Sequence, residues 1–170
     1  MFLDVHELEL HEIVFDETLP PGKIDFGFGI QQLEPLVVRG KAVLLETEIH
    51  ISGSLKTTVE TDCDRCLEVT RRPVAVDFDL YYVPIQTIAR SEEVEISKDE
   101  LDIGFYHGHG MMLEDAVKEQ VLLALPMKII CRPDCKGLCP ECGQNWNLGK
   151  CSCRRPVDDL RWAPLEKLSP

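Results

Sequence analysis

The residues with the most chemistry in this chain are its eight cysteines. Six crowd toward the C-terminus as Cys131-x3-Cys135-x3-Cys139-x2-Cys142-x8-Cys151-x-Cys153, and two stand far upstream as Cys63-Asp64-Arg65-Cys66. Two residues between thiolates let both sulfurs reach one ion at about 2.3 Å. Gly143, directly after Cys142, permits the tight backbone that this needs. Cys139-Pro-Glu-Cys142-Gly therefore reads as a zinc knuckle, and a structural Zn2+ site is expected rather than a catalytic one. Zinc needs two further ligands, most simply one of Cys131 or Cys135 and one of Cys151 or Cys153. Six thiolates exceed one tetrahedral site, which leaves one or two spare unless the cluster is larger.

Other uses of the same sulfurs have to be weighed. Disulfide frameworks belong to short secreted chains that cannot build a core. A redox Cys-x-x-Cys sits at a helix start beside a strand, whereas Cys139 follows a glycine turn. An iron–sulfur cluster accepts the same thiolates, so the spacing points to a metal more firmly than to which metal. Six unligated cysteines in a polar segment are the plain alternative. The upstream pair either joins the tail in space or forms a hairpin turn with two free thiols. The turn is the favoured reading, because Asp62 and Asp64 beside it work against thiolate formation without a metal.

Little else looks catalytic. His107-Gly-His109 reads as an exposed turn and not as a ligand pair. Asp77/Asp79 and Glu92/Glu93 fall on a polar strand face and in a loop, without the cleft partner that acid–base work needs. No glycine-rich phosphate loop, nucleophile elbow or H-E-x-x-H is present. Trp146 could offer a stacking face to a base, but packing over the knuckle is the expected use of its ring. Lys136, Lys150, Arg154 and Arg155 surround it in sequence as candidate contacts to a partner or to RNA.

These residues need elements to position them. Leu55, Thr57, Val59 and Thr61 alternate with polar residues, and so do Val74, Val76, Phe78, Leu80 and Tyr82, which predicts two strands of an antiparallel hairpin around Cys63–Cys66. Pro35 to Ile51 is β-branched, with Gly40-Lys41 expected as a turn or bulge and Ser52-Gly53-Ser54 as a second break. A weaker strand is expected at His11–Phe15, and short ones at Val94–Ile96 and Leu101–Phe105, with a polar loop at 89–93. One helix is marked by Leu113, Ala116, Val117, Gln120, Val121, Ala124 and Leu125 at 3.6-residue spacing, with Glu114 and Asp115 in its first turn and Pro126 as its stop. Its apolar face is expected to pack on the sheet. The fold class is therefore α+β: an antiparallel sheet, one main C-terminal helix packed on it, then a small zinc-binding segment. The organisation expected is an acidic body at 1–127, a cysteine segment at 128–155 that needs metal to fold, and a tail at 156–170 whose Leu160, Trp162 and Leu165 could pack back on the body.

Composition narrows the function. Hydrophobic residues make up 44% of the chain, enough for a core. No apolar run approaches the roughly 20 residues of a membrane helix. The acidic first residues differ from the basic start of a signal peptide, so a soluble, cytoplasmic protein with no membrane partner is expected. The net charge of -12 argues against coating nucleic acid by charge alone. That charge is uneven, with 10 Lys/Arg against 25 Asp/Glu in residues 1–125 and 8 against 5 in residues 126–170. An acidic body with a neutral-to-basic tail is either a solvated surface or one matched to a basic partner.

The run from Leu122 to Asn147, ending in Cys151-Ser-Cys153, resembles the YceD family of large ribosomal RNA subunit accumulation proteins, as does Cys63-Asp-Arg-Cys66-Leu67-Glu68 between two strands. The resemblance spans about residues 36–153, with Trp146 standing where the family pattern leads one to expect leucine. It implies a non-catalytic ribosome-biogenesis factor supporting synthesis, processing or stability of large-subunit rRNA. The partner would be a ribosomal protein or assembly factor, with rRNA contacted indirectly or through the tail. Two alternatives of other classes stand beside it. One is a zinc-stabilised protein-interaction module unrelated to ribosomes. The other is a metal-dependent nuclease, which would need an open coordination position and nearby acids.

Overall fold

The computed structural model describes residues 1–87 and 103–153. The expectations for Val94–Ile96, for Glu92/Glu93, for Arg154 and Arg155 and for the 156–170 tail lie outside the described residues.

The core of the fold is a long hairpin. Strand β5 (Glu48–Asp62) pairs with β6 (Val69–Pro84) from Ile49↔Tyr82 to Asp62↔Val69. Alternation does what period 2 requires: Ile49, Ile51, Leu55, Thr57 and Val59 of β5 and Val74, Phe78 and Tyr82 of β6 are buried, while Asp77, Asp79 and Tyr81 face out. β4 (Leu36–Leu45) and β2 (Ile13–Leu19) extend the sheet antiparallel on the β5 side, and the short β3 (Gln31–Gln32) pairs with the far end of β5. β7 (Ile103–Tyr106) closes the other edge parallel to β6. The sheet is therefore mixed, and this parallel pair corrects the all-antiparallel expectation. A direction of pairing leaves no mark in a four-residue strand.

Two expected breaks are absent. Gly40 lies inside β4 and Gly53 inside β5, directly opposite one another. A Cβ on Gly40 would sit 2.2 Å from the Ser52 carbonyl oxygen and 2.9 Å from the Phe15 ring, so the glycines serve close approach and not a turn. The turn is instead at Glu46-Thr47, where Glu46 takes a positive φ of 58°.

A two-stranded sheet of β1 (Phe2–Asp4) and β8 (Gly110–Met112) lies next to the short helix α1 (Val5–Leu8) and leads into α2 (Leu113–Ala124). Leu113, Ala116, Val117 and Val121 of α2 are buried, and the helix packs against β6. The Leu125 backbone before Pro126 is extended, as a residue preceding proline prefers. His107 and His109 are exposed around Gly108 in the turn before β8, as expected. No helix among the described residues is long and apolar enough to cross a membrane. From Pro126 to Cys153 the chain has no helix or strand, and it returns to the closed end of the β5–β6 hairpin.

Candidate metal centre

That closed end is Cys63–Glu68. The Cys63 amide donates to the Glu68 carbonyl at 2.9 Å and the Leu67 amide to the Cys63 carbonyl at 2.9 Å, with Leu67 at φ 57°. Cys139–Gln144 repeats the same turn: the Cys139 amide donates to the Gln144 carbonyl at 2.9 Å, the Gly143 amide to the Cys139 carbonyl at 2.9 Å, and Gly143 is at φ 73°. In both turns the amides two and three residues on point at the first sulfur, Arg65 and Cys66 at Cys63 and Glu141 and Cys142 at Cys139. The chain thus contains two knuckles of one design. The second is the one the spacing singled out, and the first is built alike, though a leucine occupies the left-handed position.

Each knuckle meets a further cysteine pair. Cys63, Cys66, Cys131 and Cys135 form one set of four, and Cys139, Cys142, Cys151 and Cys153 the other, with all sulfurs in a set within 4.8 Å of each other. The structure therefore does not place Cys63 and Cys66 as isolated thiols of a turn. It also does not gather the tail cysteines around Cys139 and Cys142 with two left over. Cys131 and Cys135 go to the upstream pair, and all eight thiols are used in two equal sets. None is in a disulfide.

The spacing of the sulfurs tests whether a metal fits. Four sulfurs at about 2.3 Å around a tetrahedral Zn2+ stand about 3.8 Å apart. In the first set Cys63–Cys135 is 3.9 Å and Cys66–Cys131 is 3.6 Å. Disulfide sulfurs would lie near 2.05 Å. Both sets could hold a metal ion, and their all-sulfur composition suits zinc or iron.

Surrounding donors favour charged sulfur. Burial works to raise the Cys63 thiol, but the amides of Arg65, Cys131 and Cys66 outweigh it and hold it at about 6. The Glu68 amide works to lower Cys66, yet burial and the neighbouring thiols push it up to about 12. In the second set the Trp146 indole N–H, 3.4 Å from the Cys151 sulfur, leads the groups that bring Cys151 down to about 6, while the adjacent Cys142 thiol is the main cause pushing Cys153 up to about 12. Four thiolates this close repel one another, and a central cation removes that repulsion.

The two sets differ in setting. Cys63, Cys66 and Cys135 are buried and covered by Ile130 and Leu138, whereas Cys142 and Cys153 are exposed. The first set also ties the tail to the sheet. The Asp64 amide donates to the Ile129 carbonyl at 2.8 Å, and the Ile129 amide to the Asp64 carboxylate at 2.5 Å. Arg72 donates to the Ile130 carbonyl at 2.5 Å, and Arg65 to the Cys135 carbonyl at 2.9 Å. Asp64 thus anchors the tail backbone.

Asn145-Trp146-Asn147 runs between the sets. Asn145 donates to Glu68 at 2.9 Å, Trp146 donates to Cys151 of the second set, and the Asn147 side-chain amide donates to Cys135 of the first at 3.4 Å. Asn147 also accepts the Lys136 amide at 2.9 Å. The Trp146 ring thus meets Cys151 of the second set through its indole N–H. The ring also helps to wall a surface pocket with Lys136, Lys150, Cys151 and Cys153.

Comparison with known proteins follows these residues. The family model described as "Large ribosomal RNA subunit accumulation protein YceD" matches residues 51–169, a stretch that includes all eight cysteines. An Arabidopsis thaliana protein, "Large ribosomal RNA subunit accumulation protein YCED homolog 1, chloroplastic", is 24% identical over 79% of this chain and 48% of its own length. An uncharacterized Mycobacterium tuberculosis protein is 31% identical over 72% of this chain and 56% of its own. The uncharacterized Bacillus subtilis protein YlbN is 23% identical over 96% of this chain and 92% of its own. The chain spans about half the length of the plant and mycobacterial relatives it matches. No solved structure matches.

Proposed function

This chain belongs to the YceD family, and on that premise we propose that it is a non-catalytic ribosome-biogenesis factor supporting synthesis, processing or stability of large-subunit rRNA. The observation that carries this reading is the family match across 51–169, which takes in all but the first three residues of the hairpin, the helix and both cysteine sets. The name of the plant relative points the same way.

In this reading Zn2+ is held by Cys63, Cys66, Cys131 and Cys135 and by Cys139, Cys142, Cys151 and Cys153. Its contribution is to fold the segment after Pro126 and fix it to the β5–β6 hairpin. Two complete four-sulfur sets leave no ligand position for a water, which supports a structural role over a nuclease. The acidic body offers its carboxylates to a basic ribosomal protein or assembly factor in the cytoplasm, while the tail meets RNA or the same partner.

The test is depletion in the organism that encodes the protein, followed by the ratio of large- to small-subunit rRNA and by co-purification at moderate salt. The expected result is a fall in that ratio, with ribosomal proteins or assembly factors on the tagged chain. An unchanged rRNA profile would refute the reading and favour an interaction module unrelated to ribosomes.

A further inference from the structure

A pocket lies beside the second cysteine set. Its walls are Lys136, Trp146, Lys150, Cys151 and Cys153, around a volume of about 730 Å3, within the range of small-ligand sites. Lys136 and Lys150 are fourteen positions apart in sequence, and the turn through Trp146 brings them to one cavity. Both lysines are exposed, and no carboxylate or aliphatic side chain lines the pocket among the described residues. In a chain of net charge -12, a cavity whose charged side chains among the described residues are two lysines runs against the overall charge.

The aromatic wall is held in place. The Trp146 indole N–H donates to Cys151 at 3.4 Å and its backbone amide to the Gly137 carbonyl at 2.9 Å, which tie down the ring and its main chain. The ring is half-buried, so part of its surface stays open to the cavity. A fixed indole flanked by two ammonium groups matches a base with its neighbouring phosphates.

We propose that this pocket binds a nucleotide of single-stranded RNA, the base stacking on Trp146 and the flanking phosphates meeting Lys136 and Lys150. The class of ligand rests on the rRNA reading above, while the pocket is argued from its own residues. With a metal in place the four thiolates beside it keep a net negative charge that the two lysines balance. Stacking therefore carries much of the affinity, and the ionic part is that of two phosphate contacts at most.

The experiment is binding of a fluorescein-labelled ten-nucleotide oligoadenylate to the purified, metal-loaded full chain, followed by anisotropy at several salt concentrations. Trp146→Leu is expected to weaken binding by roughly 5- to 150-fold, the span of a lost base–aromatic stack. Lys136→Ala with Lys150→Ala is expected to reduce the slope of log affinity against log salt by about 1.4, the value for two phosphate contacts on a single strand. Metal content equal to the parent's shows that the variants keep the site intact. Oligonucleotide binding that is undetectable in the parent, or equal in parent and variants, overturns the proposal. So does loss of a co-purifying protein on Trp146→Leu with RNA binding unchanged, which would make the pocket a protein contact. Failure here leaves the depletion result untouched, so the two readings can fall separately.

Discussion

Replacing Cys63 by alanine should release the tail and spare the sheet. Cys63 is fully buried, lies 3.9 Å from Cys135 and accepts the Cys131 amide at 3.3 Å. Six hydrogen bonds also join the knuckle to the tail, through Asp64 (two), Arg65 (two), Glu68 and Arg72. At about 1 kcal/mol each they total about 6 kcal/mol. That offsets the ordering of only three to six residues at roughly 1–2 kcal/mol apiece. The segment from Pro126 to Cys153 is far longer, so the metal must decide its order. A structural zinc contributes roughly 10–16 kcal/mol to a small zinc-folded unit, or roughly 2.5–4 kcal/mol for each of four ligands. A loss of about 3 kcal/mol raises the population of the detached tail by roughly 100- to 200-fold. The assay is limited trypsinolysis of the full chain, scoring cleavage at Lys128–Ile129 and Lys136–Gly137, with far-UV circular dichroism as the control. When opening is fast relative to cleavage the rate follows the open population. Cleavage should therefore rise by about two orders of magnitude while the sheet signal stays. Unchanged cleavage and metal content in the variant would refute the claim that the hairpin supplies half of a metal site.

Three further outcomes follow from the same geometry. Asn147→Ala removes the amide donor that leads the lowering of Cys135 and should weaken metal binding at that set by about 10- to 100-fold; chelator competition should show the second set unaffected. Gly53→Ala places a Cβ 2.3 Å from the Arg39 carbonyl oxygen and should destabilise the body by roughly 1–3 kcal/mol in thermal or denaturant unfolding. The Tyr82 hydroxyl is raised well above its usual value by burial and then by Glu119, whose carboxylate it meets at 3.3 Å. Folding thus favours the neutral phenol, so its stabilisation is complete below about pH 10 and is lost as pH rises toward the folded value. Tyr82→Phe should flatten the fall in stability above pH 10 measured by denaturant titration.

The main hairpin and α2 were legible because burial imposes periods of 2 and 3.6 on their residues, and Leu55 to Tyr82 and Leu113 to Val121 carry those periods openly. Gly40 and Gly53 misled because glycine marks a tight turn and a close strand approach with the same letter. Glu46 makes the real turn without a turn residue's signature. The first metal set was half-legible. Cys63-x-x-Cys66 has the same spacing as Cys139-x-x-Cys142, and the identical hydrogen bonding of the two turns shows that this was the usable signal. Two things hid it: Leu67 stands where Gly143 stands in the other knuckle, and its partners lie 65 to 72 residues downstream, a separation that local spacing does not encode. Lys136, Trp146 and Lys150 stand near one another in sequence, but only the fold lines one pocket with all three.

The most direct test of the account is the metal content of the purified full chain, with the number and distance of sulfurs per metal from X-ray absorption at the metal edge. The account predicts two zinc ions per chain, each with four sulfurs at about 2.3 Å. One zinc per chain, an iron signal, or a shell containing oxygen or nitrogen ligands would contradict it.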